Sequence, residues 1–249
     1  MKKTFCEAVL IAALAHVPLF AQNQAATFGE SVHASGMAAD ISQDWKVKTP
    51  SIPVYCKPCY FYSGNVDCNN KNADGLANEN DHLGADSRVY VPFRVTKTTN
   101  VVGLFINSLD EVLTIDNPTP YEIRKGVSAG NGGMIVRTGN AVSTATVISD
   151  CFSINLVNHL VKFKPKPLKK GIYWLNVTPQ CLNGRYCGSA RYFEASEDDD
   201  PHPLNHVGPR NILYGSFWDS TTFGENWVNT NNGTSGGQLR VFSAGVLGK

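Results

Sequence analysis

The sequence has little net charge and few charged side chains, and both shortages narrow the classes of partner. Charged residues make up 17% of the chain, and the 22 Lys and Arg nearly balance the 21 Asp and Glu, so the formal net charge is +1. A nucleic-acid-binding protein, or one held on an anionic membrane, usually carries a surplus of positive charge. The overall composition therefore gives no electrostatic support for either partner, and we predict no nucleic acid.

The short motifs of the common enzyme classes are also lacking. The chain contains no His-Glu-x-x-His stretch, no phosphate-binding Gly loop ending in Lys and no dinucleotide fingerprint. Carboxylate pairs for glycoside cleavage stay open as an alternative, because such pairs meet in space rather than in sequence. No stretch beyond the N-terminus approaches the ~20 apolar residues of a transmembrane helix, so we predict no membrane span.

The N-terminus has the pattern of a signal peptide. Lys2 and Lys3 precede an apolar segment at residues 8–20, and cleavage after Ala21 fits this pattern. Removing residues 1–21 takes away two Lys and one Glu, which leaves 20 basic and 20 acidic side chains. We expect a secreted, extracellular protein, with the periplasm as the alternative.

Of the seven cysteines, Cys6 falls within the signal peptide. An even number of cysteines in an exported protein indicates disulfides, although their connectivity cannot be read from the sequence. The short loop between Cys181 and Cys187 makes that pair the best single candidate. Cys56-Lys57-Pro58-Cys59 is similar to a redox dithiol, but the strand-like residues after it favour a structural disulfide, either local or to Cys68. The disulfide candidates are Cys56, Cys59, Cys68, Cys151, Cys181 and Cys187.

Strand patterns dominate the chain from Arg88 onward. Residues 22–50 show no clear period and are predicted to be a flexible lead-in, and residues 51–81 read as a loop-rich, disulfide-stapled segment. Hydrophobic residues alternate with other residues over 88–96, which is typical of a half-buried strand. Residues 121–125 and 134–138 flank a Gly-rich connection and predict a hairpin.

Further strand signals follow at short intervals, separated by turn residues, and no segment predicts an amphipathic helix. The predicted strands are 101–106, 144–148, 152–157, 160–164, 171–177, 191–194, 212–217 and 239–242. Many short strands of this kind predict an all-β fold, an antiparallel β-sandwich similar to a jelly roll, with residues 51–249 as a single domain.

Four segments resemble a group of exported bacterial β-sandwich proteins that are frequent in acidobacteria-like genomes. They are ADGLANE at 73–79, YEIR at 121–124 with GVSAGNGG at 126–133, GIYWL at 171–175 and TTFG at 221–224. The resemblance implies the fold and export, and it implies no particular activity. Some members carry a C-terminal sorting anchor, and the lack of one here favours release.

Residues 126–130 match the hydrolase pattern Gly-x-Ser-x-Gly, with Ser128 as the nucleophile. That chemistry requires a sharp turn from a strand into a helix, which exposes the Ser beside backbone N–H groups. Asn131, Gly132 and Gly133 cannot begin a good helix, and a strand is predicted to follow. The segment is therefore interpreted as a hairpin loop, with catalysis by Ser128 as the alternative.

An Asn- and Asp-rich segment has the spacing of a calcium loop, with Gly75 at the sixth position. Its candidate ligands are Asn70, Asn72, Asp74, Asn78 and Asp81. Asn at the first position, Asp at the twelfth and the absence of flanking helices favour an ordinary polar turn, with a structural Ca²⁺ as the alternative. The acidic residues 197–200, followed by His202 and His206, are interpreted as a solvated loop, because two prolines argue against a zinc-binding helix.

Aromatic residues near Gly, Asn and Thr supply the candidate binding surface. Trp218 and Trp227 are expected in exposed loops, where they could stack on sugar rings, and Tyr214 of the predicted strand 212–217 is a further binding candidate, whereas Trp174 is expected in the core. The loops at 67–81 and 197–232 are expected to form the contact surface. We therefore expect a secreted, non-catalytic protein that binds an extracellular glycan or a surface protein, or that has a structural role in the envelope. The alternative is a secreted hydrolase that uses Ser128 or spatially paired carboxylates.

Overall fold

The structure is a computed structural model of the chain, and its described residues all belong to the compact unit formed by residues 36–249. It describes residues 56–66, 75–80, 86–110, 118–151, 154–179, 191–193, 207–208, 215–221, 224–230 and 242–249. Among the described residues, no helix has the length and apolar character that crossing a membrane requires.

The described residues form fourteen strands. In chain order they are β1 Cys59–Tyr62, β2 Gly75–Ala77, β3 Glu79–Asn80, β4 Asp86–Val95, β5 Thr99–Asp110, β6 Thr119–Lys125, β7 Met134–Ala141, β8 Ser143–Cys151, β9 Ile154–Leu168, β10 Gly171–Val177, β11 Arg191–Phe193, β12 Phe217–Ser220, β13 Glu225–Asn229 and β14 Ala244–Gly248.

The strands pair antiparallel in two sheets. In sheet 1, β14 and β11 pair with different parts of one edge of β5, β1 pairs with β14, and β2 pairs with β11. β9 pairs with the opposite edge of β5, and β8 pairs with β9. In sheet 2, the order is β13-β12-β4-β10-β6-β7, and β3 also pairs with β4. The fold is thus an all-β sandwich, as the sequence predicts.

The main core lies between the two sheets. Val89, Val91 and Phe93 of β4 point into it from sheet 2, while Leu104 and Ile106 of β5 point into it from sheet 1. All five side chains are almost fully buried. The period of two in β4 and β5 therefore has a direct cause, because alternate residues of a strand face the opposite sheet.

A second apolar cluster covers the outer face of sheet 2. It joins Tyr90, Trp174, Phe217 and Trp227 with Val127 of the β6–β7 connection. Trp174 is buried as expected, but it belongs to this outer cluster rather than to the core between the sheets. The outer face of sheet 2 is thus covered by side chains of its own strands and of one connection.

Several predicted strands are confirmed, and others need correction. The alternating strand at 88–96, the 121–125/134–138 hairpin and the strand at 171–177 appear as β4, β6–β7 and β10. The loop-rich segment at 51–81 contains three short strands, β1, β2 and β3, and β1 coincides with the strand-like residues that follow Cys59. The final strand, β14, was not predicted at all. Both faces of β14 are buried, so its sequence lacks the alternation that marks a half-exposed strand.

Candidate functional site

The Gly-x-Ser-x-Gly segment lies in the tight loop that connects β6 to β7. The Ser128 and Asn131 backbones exchange two hydrogen bonds of 3.0 and 2.9 Å, and Gly126, Gly130 and Gly133 have positive φ angles. The chain therefore reverses direction at this point instead of entering a helix. The hairpin interpretation is confirmed, and the strand-to-helix geometry that a nucleophilic Ser128 requires is not formed here.

This loop packs on Trp227 of β13. The Gly130 N–H donates to the Trp227 carbonyl oxygen at 3.2 Å. A Cβ atom added to Gly132 would overlap the Trp227 ring, so only glycine allows the loop to approach so closely. Trp227 itself has a φ of 51°, a conformation that bulky residues rarely adopt and that surrounding contacts must stabilise.

Trp227 is not the exposed loop aromatic that the sequence analysis expects. It lies in a strand, only 8% of it is exposed, and its ring contacts Tyr90 at a centroid distance of 4.6 Å. The Arg124 guanidinium lies over the same ring at 4.8 Å. Its neighbours therefore occupy most of the surface that a sugar ring would need.

Trp218 also lies in a strand, β12, and is half-buried. Its indole Nε1 donates to the Ser87 hydroxyl at 2.8 Å. The expectation of a loop position is wrong for both tryptophans, and a ligand contact by Trp218 stays a prediction. Tyr214 lies outside the described residues.

An ion-pair cluster lies beside Trp227 on the outer face of sheet 2. The Glu122 carboxylate accepts hydrogen bonds from Arg88 and Tyr90, each at 3.0 Å, and from Arg124 Nε at 2.5 Å. Arg124 also donates to the Gly132 carbonyl oxygen at 3.2 Å. One carboxylate thus joins β4, β6 and the β6–β7 loop. These residues are not among the site residues predicted from the sequence.

Burial and charge perturb the titratable groups around this cluster. Burial, and then the negative charge of Glu122, raise the pKa of the Tyr90 phenol well above its ordinary value. Burial also raises the pKa of Asp219, a residue of β12 that pairs with Arg88 of β4. For the guanidinium of Arg88, desolvation is the largest influence and lowers the pKa, but the opposing bonds and charges of Asp86 and Glu122 raise it overall. Arg88 and Arg124 therefore stay charged, and Glu122 is their shared partner.

Asn78, the one candidate calcium ligand within the described residues, is fully buried between β4 and β10. Its carboxamide oxygen accepts from the Val89 N–H at 3.0 Å and from Asn176 Nδ2 at 2.8 Å, and its nitrogen donates to the Val177 carbonyl at 2.8 Å. The side chain thus connects two strands where their direct pairing ends. Asn70, Asn72, Asp74 and Asp81 lie outside the described residues, so the calcium loop stays a prediction.

One predicted disulfide is present, the local bond between Cys56 and Cys59. The bond ends at Cys59, the first residue of β1, and β1 pairs with β14 in sheet 1. Its place at the start of a sheet strand supports the structural interpretation of this dithiol. Cys151 ends β8. Cys68, Cys181 and Cys187 lie outside the described residues, as do the acidic residues 197–200 with His202 and His206.

The one histidine among the described residues, His159, contacts Asp110 rather than Ser128. His159 Nε2 and Asp110 Oδ2 lie 2.8 Å apart, and both side chains are completely buried. The Ser108 hydroxyl donates to the other Asp110 oxygen at 2.8 Å. The pair belongs to the interior of the sandwich, and no group of three or more His, Cys, Asp or Glu that could hold a metal occurs in the described part of the chain.

Lysines are concentrated at one end of the sandwich. The β4–β5 turn carries Lys97, and the β9–β10 turn carries Lys169 and Lys170. Val95 pairs with Gly171 and Thr99 pairs with Leu168, so these two turns lie side by side. We call this surface the lysine end, and it comprises Lys57, Lys97, Lys125, Lys164, Lys166, Lys169, Lys170 and Lys249.

The remaining members reach the same end from other strands. The Asn100 and Lys249 backbones exchange two hydrogen bonds of 3.1 Å, and Lys125 lies close to Gly171. Pro58, next to Lys57, accepts a hydrogen bond from Gly248. Seven of these lysines are exposed and Lys166 is half-buried. No ion pair between described residues includes any of them.

The acidic residues of the described part lie elsewhere, toward the other end or in the middle of the strands. They are Glu79, Asp86, Asp110, Glu122, Asp150, Asp219 and Glu225. Asp86 begins β4 and Asp110 ends β5, at the ends remote from Lys97. The described residues of an almost neutral chain therefore form a strongly positive surface at one end.

The Tyr60 phenol responds to this surface. Desolvation, the largest single influence, raises its pKa, but a hydrogen bond from the Thr96 N–H and the charge of Lys97 bring the pKa below the ordinary value of 10.0. The one sequence signal for the lysine end is the stretch KFKPKPLKK at 162–170, of which only residues 162–164 fall in a predicted strand.

Comparison with known proteins gives no assignment, because neither a family model nor a curated protein sequence matches the chain.

Proposed function

We propose that this chain is an exported, non-catalytic β-sandwich protein that binds an anionic extracellular glycan through its lysine end. The observation that carries the proposal is the segregation of charge, with exposed lysines from several strands at one end and the described acidic residues elsewhere. Such a surface attracts polyanions even when the whole protein is neutral, because screening confines the interaction to about 10 Å.

The chemistry of the surface favours a polymer over a single small anion. Lysine is a hydrated point charge on a flexible stem, which suits contact with many negative groups better than the fixed geometry of one bound anion. Lysines on several neighbouring turns suit repeated negative charges along a chain, such as the carboxylates of a uronic acid polymer.

The signal-peptide pattern is consistent with contact with such polymers outside the cytoplasm. The alternative of a hydrolase that uses Ser128 gains no support from the β6–β7 loop, because Ser128 lies in a tight reversal of the chain. Within the described residues, the binding interpretation is therefore the better supported of the two.

Binding to polygalacturonate, a carboxylated polysaccharide, tests the proposal against neutral dextran of similar length. We expect the wild type to bind polygalacturonate alone, and its affinity to fall steeply as salt is raised. The double variant Lys169→Gln with Lys170→Gln should weaken binding at least about fivefold, because both side chains are exposed in the centre of the surface.

The matched control lowers the net charge by the same amount at a distant place. Thr221→Glu with Asn226→Glu lies on exposed positions beside the start of β4, roughly 30 Å along β4 from the β9–β10 turn. We expect this control to bind nearly as well as the wild type. Equal losses in both variants, or equal binding of dextran, would contradict the proposal, as would binding to anionic lipid vesicles alone.

A further inference from the structure

Every large hydrophobic side chain that is strongly exposed in the described part of the chain lies in one short stretch of sequence. Met134 is 62% exposed, Ile135 47%, Val142 70% and Val147 45%. They belong to β7, to β8 and to the single residue that connects these strands. Exposed apolar residues confined to one flank mark an interaction surface more often than scattered ones do, and we call Met134, Ile135 and Val142 the exposed strip.

The same stretch forms one flank of the sandwich. β7 is the last strand of sheet 2, where it pairs with β6, and β8 is the last strand of sheet 1, where it pairs with β9. Among the described residues, β7 has no partner strand on its other side. Its outer row of backbone N–H and C=O groups is therefore directed away from the sheet.

Natural proteins usually protect such an edge with lysine, proline or a bulge. β7 contains neither lysine nor proline. A bulge interrupts its pairing at Ile123 and Arg124 of β6, and the residues from Arg137 to Ala141 continue in regular register. Most of the strand therefore keeps the geometry that a further strand needs.

The one charged side chain of β7 is turned away from the edge. Arg137 Nε donates to the Tyr121 hydroxyl at 3.3 Å, and the guanidinium lies over the Phe163 ring at 5.1 Å. Two copies of β7 could therefore approach each other without placing like charges face to face.

We propose that β7 pairs antiparallel with β7 of a second copy of this chain, around a two-fold axis near Thr138 and Gly139. A strand can meet its own copy in this way with the same residues on both sides, which closes the assembly as a dimer. The arrangement brings the Met134 and Ile135 end of one strand next to the partner's Val142. It thus extends sheet 2 through the dimer and covers the exposed strip, independently of glycan binding.

Sedimentation velocity of the purified full chain over a range of concentrations measures the association. We expect a reversible dimer that dissociates on dilution. Ile135→Lys should raise the dimer dissociation constant at least about tenfold, because it places an unpaired charge against the partner's Val142 within the edge pairing. Thr98→Lys is the matched control, since it adds the same charge at an exposed turn outside the flank, and it should leave the constant unchanged.

Hydrogen exchange locates the contact. In the wild type, the amides of 134–141 should gain protection as concentration rises, and in Ile135→Lys they should not. A chain that stays monomeric at all concentrations would overturn the proposal, and concentration-independent protection of β7 would identify a segment of the same chain as its cover. Dimerisation that Ile135→Lys leaves intact would also overturn it.

Discussion

Glu122 shows how one residue can hold three others in place. Its carboxylate accepts bonds from Arg88, Arg124 and Tyr90, and its side chain is only 9% exposed. Partly buried guanidiniums are stable only while a counter-charge compensates for their lost hydration. Removing the carboxylate would take the counter-charge from Arg124 beside the Trp227 ring and leave Arg88 with Asp86 alone, so we infer that Glu122 stabilises the outer face of sheet 2.

Glu122→Gln should therefore destabilise the protein by about 2 kcal/mol, less than for a fully buried pair because Arg88 and Arg124 keep some contact with water. Urea unfolding followed by tryptophan fluorescence measures this change. Glu225→Gln, which neutralises a half-exposed carboxylate on β13, should change stability by less than about 0.5 kcal/mol. Similar effects of the two variants would show that the cluster contributes nothing special.

The sequence predicts some residues well and others poorly, and the difference is physical. Trp174 lies within an apolar strand, so its burial follows from its neighbours. Trp227 is surrounded by Asn and Glu, and its burial depends on Tyr90 and Arg124, which are remote in sequence. Asn78 similarly resembles a turn residue or an ion ligand until the separation of β4 and β10 places it between them.

At the scale of elements, the β6–β7 hairpin depends on a close contact between the glycine at position 132 and the Trp227 ring of β13. Gly132→Ala should cost about 2 kcal/mol, because the new methyl group overlaps the Trp227 ring and the loop must lift from β13. Denaturant unfolding gives the cost, and a shift in tryptophan emission should accompany it. Ser128→Ala in the same loop removes an exposed hydroxyl and should be neutral. A neutral Gly132→Ala would mean that the loop does not need this close contact.

β4 and the β6–β7 hairpin could be predicted from their local sequence, whereas β14 could not. The alternation in β4 follows from one face meeting the main core, and the hairpin at β6 and β7 follows from the glycines between two strands. β14 lies between β1 and β5, and both of its faces are covered, so no alternation marks it. Its short run of small and apolar residues does not differ from an ordinary tail.

For the whole molecule, the charge balance predicts neutrality, the strand patterns predict an all-β fold and the N-terminal pattern predicts export. The fold class is confirmed. Net charge is a sum, however, and it carries no information about where the charges lie. The lysine end depends on the pairing of β4 with β10 and of β5 with β9, which brings turns from distant parts of the sequence together. Strand order is set by contacts between residues far apart in the sequence, so local sequence patterns do not reveal it.

The two proposed surfaces together predict how binding depends on the length of the glycan. Met134 lies at the lysine end of β7, opposite Lys125. In the proposed antiparallel dimer, the two lysine ends would be separated by about 30 Å along the paired strands. A disaccharide is too short to reach both, whereas a long polygalacturonate chain can engage both and gain avidity without new contacts. Val142→Lys, which disrupts the same contact from the end of β7 remote from the lysine end, should therefore weaken binding of the long polymer at least about tenfold and leave binding of digalacturonate unchanged, as measured by calorimetry at concentrations where the wild type is dimeric. An equal loss for both ligands would show that the substitution damages the lysine end itself, and no loss for either would show that the two surfaces do not act together.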